Sequence, residues 1–251
     1  MQLTAAPVLS RLILPLALAV AASSASHAAS DAAWLDVEGR IQYAFYTEDT
    51  RALAELADQL AQGEGEQEPL QYYYAGLANY RLAALLSSRD KERARDAVER
   101  CVDSLDGALK AQPNFAAALA LQSACLRTVA TLKPWKPLAG SKSADKMERA
   151  VKLAPRDPRV LLLEAVAKDQ GGKLDEESLA MLRKATAEFE TERQGVGRAP
   201  GWGAAEAYTY LGRGYLERGD VLKARDALER ALLIAPDFEL AKRLLTKVTT
   251  G

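Results

Sequence analysis

The side chains of widest chemical range in this sequence are a single histidine, His27, and two cysteines, Cys101 and Cys125. Histidine is the usual general base and metal ligand near neutral pH. Here it stands within the N-terminal pattern of a secretory signal: Arg11, then an apolar run from Leu12 to Ala22, then small residues ending in Ser26-His27-Ala28. The run has 11 residues, against the roughly 20 that a membrane-spanning helix needs. The expectation is therefore a signal peptide over residues 1–28, cleavage after Ala28, no stable membrane insertion afterwards, and export, most simply to a bacterial periplasm. A chain cut there holds no histidine. Ser-His-Asp and Cys-His chemistry is then out of reach, and an enzyme would have to work with carboxylates, Lys or Tyr. A cell-wall glycan hydrolase with acidic residues near Trp135 or Trp202 is the form that would take, but spacing marks no carboxylate pair. No catalytic residue, cofactor or metal ligand is assigned.

The two cysteines invite a different chemistry. They lie symmetrically about Pro113, so in a helical hairpin turning there they would stand level, and an exported compartment favours a bond between them. Cys101 also fits a small-residue slot facing Gly76 in its own hairpin, and two buried thiols acting as small hydrophobes are the competing reading. Glu64, Glu66 and Glu68 alternate in a Gly-containing stretch that lacks the turn and ligand count of a calcium loop and reads as a linker. Gly195 to Gly203 is Gly-rich, yet no apolar strand precedes it and no Lys-Ser/Thr follows. It reads as a joint rather than a phosphate cradle, with Trp202 packing under Tyr208. The balance of 33 basic against 34 acidic side chains, with alternating signs from Arg89 to Arg100, excludes the basic face of a nucleic-acid reader.

The elements that would position these groups are helical. A chain 49% hydrophobic and 6% aromatic, rich in Ala and Leu, points to an ordered all-α protein. Its pattern also repeats. Ala224, Leu228, Ala231 and Pro236 share their offsets with Cys101, Leu105, Ala108 and Pro113, and with Ser143, Met147, Ala150 and Pro155. This spacing sets the first three residues on one helix face, and the proline stops the helix. A weaker copy, Ser178, Leu182 and Ala185, has Glu190 where proline would stand. Upstream of the last ladder, Tyr208, Leu211, Gly212 and Tyr215 follow helical spacing, Gly212 and Ala224 permit close backbone approach, and Gly219-Asp220 supplies a turn.

In these residues the sequence resembles the tetratricopeptide repeat, in which an aromatic, Leu-Gly, an aromatic, then Ala, a large apolar residue, Ala and Pro recur over about 34 residues. Tyr208 stands in place of Trp and Leu228 in place of Phe. The resemblance implies an all-α solenoid of about four helical hairpins, over residues 69–115, 116–157, 158–191 and 205–238, with a capping helix at 239–251. Residues 31–62 read as a further helix pair without the signature. Irregular insertions interrupt the array, notably Thr131 to Lys142, where Lys133 to Pro137 is expected to be extended. Trp135 within it is either a binding anchor or a cap on the helix ends.

The resemblance also implies that the first helix of each hairpin lines a concave groove holding a partner protein or peptide. The face concerned offers Tyr73, Leu77, Tyr80 and Arg81, then Arg127 beside Ala117, Ala120 and Ala124, then Arg159, Leu162, Val166 and Asp169, and finally Glu206, Thr209, Arg213 and Leu216. It is largely apolar and lacks the Lys, Arg and Asn cluster with which some family members clamp a C-terminal carboxylate. A hydrophobic or aromatic segment oriented by Arg81, Arg127 or Arg213 suits it better. The expected function is a non-catalytic scaffold or assembly factor of the cell envelope. Two alternatives stand beside it: the same face is closed core, or the chain self-associates through an exposed terminal repeat.

Overall fold

The computed structural model describes residues 32–62, 68–136, 138–168, 173–194 and 199–250. The signal-like segment with His27, the residues Glu64 and Glu66, Asp169, and residues 195–198 of the Gly-rich joint lie outside these. All regular elements among the described residues are α-helices: α1 (32–46), α2 (Thr50–Ala61), α3 (Pro69–Leu86), α4 (Lys91–Ala111), α5 (Ala116–Leu132), α6 (Leu138–Leu153), α7 (Pro158–Ala167), α8 (Glu176–Arg193), α9 (Ala204–Glu217), α10 (Val221–Ile234) and α11 (Glu239–Thr250). Among the described residues no helix is long and apolar enough to cross a membrane.

Local chemistry sets the helix ends. Asp49, Asp90, Asp157, Asp175 and Asp220 each precede a helix and accept from a backbone N–H of its first turn, at Ala52, Arg93, Arg159, Ser178 and Lys223 respectively. These are the donors that a helix start leaves unpaired. Pro69 and Pro158 open α3 and α7, where a missing N–H is harmless. Pro113, Pro155 and Pro236 follow the ends of α4, α6 and α10.

Consecutive helices pack against each other, most extensively α3 with α4, α5 with α6 and α9 with α10. The ladder residues form the seam: Cys101, Leu105, Ala108, Ser143, Met147, Ala150, Ser178, Leu182, Ala185, Ala224, Leu228 and Ala231 are all buried. The glycines repeat the same contact. A Cβ on Gly76 would lie 2.7 Å from Leu105 Cγ, and one on Gly212 would lie 2.7 Å from Leu228 Cγ. Gly76 thus faces Leu105, one helical turn beyond the Cys101 slot assigned from spacing.

The expected extended segment after α5 is instead a turn. The Lys136 N–H returns to the Lys133 carbonyl at 2.9 Å, with Pro134 in the position of a turn where its fixed φ is favoured. α5 itself runs through Leu132 and α6 starts at Leu138, so the non-helical part of the insertion is short. Lys133 and Lys136 both pair with Glu99, and Arg95 lies 5.2 Å over the Trp135 ring. Trp135 remains 62% exposed, so it does not seal the helix ends.

The chain also closes on itself. Helix α1 meets α3 through Tyr74 and Arg81, meets α9 through Glu206, and packs Phe45 and Tyr46 on Phe238. Just beyond α1, Glu48 takes Arg89 on one oxygen and Arg243 of α11 on the other. First and last hairpins are therefore in contact.

Candidate functional site

Closure decides the state of the expected groove. Tyr73, Leu77, Arg81, Glu206 and Thr209 are buried, while Tyr80, Arg127 and Arg213 are half-buried. Arg81 and Glu206 form a buried ion pair. The Glu206 carboxylate also accepts from the Tyr46 hydroxyl at 2.8 Å, and Arg81 donates to Gln42 at 3.2 Å. Arg81 lies over Phe45 at 4.0 Å and Trp202 at 4.9 Å. The Trp202 indole N–H donates to the Tyr73 hydroxyl at 2.8 Å, so Trp202 reaches the first hairpin rather than resting under Tyr208. What is left between Tyr80, Tyr210, Leu162 and Val166 is a cavity of about 50 Å³, room for water and not for a peptide. An open groove along this face is corrected: α1 and Trp202 occupy the space a partner segment would need. Burial and the neighbouring Tyr80 phenol push the Tyr210 hydroxyl up to about 12, which keeps it neutral in the closed centre.

The three arginines expected to orient a partner part company here. Arg81 is bound to Glu206, and Arg213 pairs with Glu217 at 3.4 Å. The Arg127 side chain has no hydrogen bond among the described residues, and its Nη1 is buried. It borders a solvent-open cavity of about 590 Å³ between α5, α6 and α7, lined by Met147, Val151, Ala144, Ala167 and the Ser123–Ser143 contact. Ser123 and Ser143 exchange hydroxyl-to-carbonyl hydrogen bonds at 2.8 and 2.9 Å, fixing α5 against α6 at the cavity floor. Of the other charges on this lining, Lys152 is paired with Glu148 and Lys168 with Glu177, while Glu164 has no ion pair among the described residues. A buried guanidinium donor without an acceptor is costly, and its natural complement is an anion that enters the cavity.

A second cleft, about 750 Å³ in volume, lies between α1, α8 and the 199–204 joint, lined by Leu35, Glu38, Arg159, Phe189, Glu192 and Ile234. Its charges are met internally. Glu38 accepts from the Tyr74 hydroxyl and the Gly201 N–H, both at 2.8 Å, and Arg159 holds Glu192 with both Nη atoms. Sequence reasoning missed Glu38, although its position in the helical stripe of Trp34, Val37, Ile41 and Phe45 marks an acid on an apolar face. Carboxylates near Trp202, the place considered for hydrolytic chemistry, are Glu38 and Glu206, and both serve the closure just described.

The cysteines are joined: Cys101 of α4 and Cys125 of α5 form a disulfide with Cα atoms 6.3 Å apart, and both are buried. The alternative of two thiols rested on Cys101 facing Gly76, a place that Leu105 fills. Compared with protein-family models and with curated proteins, the chain matches none.

Proposed function

We propose that this protein is a non-catalytic interaction scaffold of the exported cell envelope, a tetratricopeptide-like array of helical hairpins that holds a partner protein at the Arg127 cavity. The observation that carries the reading is the unpartnered side chain of the half-buried Arg127 at an open, largely apolar cavity, in a chain whose buried arginines among the described residues, Arg81 and Arg159, have carboxylate partners. Export is supported by the buried disulfide, a bond that persists in oxidising compartments, together with the signal-like N-terminus.

The test is site-specific crosslinking. A photoreactive residue placed at Ala167, on the cavity wall, is expected to yield one discrete heterologous adduct in envelope extract, and Arg127→Met is expected to abolish it. An adduct indifferent to Arg127 would remove the cavity from the proposal. A homodimeric adduct would transfer the reading to self-association.

A further inference from the structure

We infer that the Arg127 cavity recognises an acidic side chain, Asp or Glu, set among apolar residues of the partner segment; this rests on the binding role proposed above. Three observations converge. The Arg127 side chain, on the cavity lining, has no hydrogen bond or ion pair among the described residues, so a carboxylate that reaches the guanidinium gains a charge-assisted contact without displacing an internal partner. The wall formed by Met147, Val151 and Ala167, in a volume of about 590 Å³, accommodates the apolar neighbours of that carboxylate. The lining charges set the number of anions. Lys152 and Lys168 are already neutralised by Glu148 and Glu177, and Glu164 adds an unpaired negative charge. Glu164 balances Arg127 across the lining as a whole, so one carboxylate against Arg127 already brings the cavity to a single net negative charge, and each further charge of a polyphosphate or nucleic-acid backbone adds repulsion from Glu164.

The experiment uses two capped heptapeptide libraries, one with a fixed central Glu and one with a fixed central Gln, both flanked by mixed Leu, Ile, Val, Phe and Tyr. Acetyl and amide caps remove terminal charges, so the central side chain is the sole anion. The expected result is at least tenfold tighter binding of the Glu library, with a shift of the Arg127 Nε–H resonance that the Gln library does not produce. Arg127→Met should erase the preference, and Arg127→Lys should retain part of it, since lysine keeps the charge but not the fork. Equal binding of both libraries, no binding of either, or a Glu preference that survives in a folded Arg127→Met protein overturns the inference. Loss of the crosslinked adduct in Arg127→Met combined with equal binding of the two libraries would leave the scaffold reading standing and remove only the acidic specificity. A Glu preference without any crosslinked protein would do the reverse.

Discussion

Arg81, which is buried, and Arg127, which is half-buried with its Nη1 covered, make opposite predictions because only Arg81 has a partner. Removing Arg81 leaves the Glu206 carboxylate in the closed centre with the Tyr46 hydroxyl as its remaining side-chain donor among the described residues. Arg81→Met is expected to lower unfolding free energy by about 3–5 kcal/mol, as for a broken buried pair, and the Arg81→Met/Glu206→Met double variant to recover most of the loss; urea denaturation of the four proteins of the cycle reads both. Arg127→Met removes a desolvated charge with no partner to orphan, so its stability is expected to equal or exceed that of the wild type. That difference is the mark of a residue kept for a ligand rather than for the fold. Glu38 supplies a pH signature. Burial pushes its carboxyl above the ordinary 4.5, although the Gly201 and Tyr74 hydrogen bonds pull the other way. A carboxyl whose pKa is higher in the fold contributes stability that is present below about pH 4.5 and is lost as the pH rises through the folded value. Glu38→Gln keeps an oxygen for both donors, so it should match or exceed wild type near neutrality, with the margin closing on acidification; urea midpoints across pH check this. In the sequence, Arg127, Arg81 and Arg213 look alike, three cations on one helical face. Arg213 has its partner Glu217 one helical turn on, where local spacing shows it, but the pairing of Arg81 depends on Glu206, distant in sequence, which no local spacing reveals.

At the scale of elements, the repeat pattern is an account of helix-to-helix distance. Gly212 brings α9 onto α10 so closely that a Cβ would stand 2.7 Å from Leu228 Cγ and 3.2 Å from the Ala224 carbonyl oxygen. Gly212→Ala must move a backbone as well as a side chain, and is expected to cost about 1–3 kcal/mol by overpacking. Gly140, in the first turn of α6, has nothing within 4 Å of its would-be Cβ. Gly140→Ala should therefore be neutral or gain up to about 1 kcal/mol from helix propensity. Thermal unfolding of the pair distinguishes a glycine needed for close approach from one that merely sits in a helix. The disulfide ties α4 to α5 across the boundary between hairpins, with 24 residues of separation, and its removal in Cys101→Ala/Cys125→Ala is expected to cost about 3 kcal/mol. Helices, seams and the approach of Gly212 to Ala224 were legible because they follow from residues a few turns apart, whereas Gly76 was assigned to the Cys101 slot and meets Leu105. The turn at Lys133 to Lys136 was misread because proline's effect on its neighbour suggests an extended chain, while the Lys136 N–H still finds the Lys133 carbonyl.

At the scale of the whole molecule, end-to-end contact changes what a helical array does. In an open solenoid each hairpin touches only its neighbours, and damage at one end stays local. Here Phe238 packs against Phe45 and Tyr46 of α1, Arg243 pairs with Glu48, and Trp202 reaches Tyr73, so the two ends share one core. This closure was the least legible feature of the sequence: 31–62 lacks the repeat signature, and its aromatic and acidic residues acquire meaning only beside residues some 160 positions away, as in Tyr46 with Glu206. Phe238→Ala opens the joint without touching any residue of α3 named in it. If the ends are coupled, the amides of α1 should lose hydrogen-exchange protection together with those of α10 and α11, since a shared core opens as one unit. Protection lost in α10 and α11 alone would mean that α1 is held by α2 and α3 without help from the far end. The crosslinking result should track the same closure. The Arg127 cavity is built from α5, α6 and α7 and shares no lining residue with the small closed cavity that Phe238 borders, so binding there should survive Phe238→Ala even as the ends part, separating recognition from closure within one molecule.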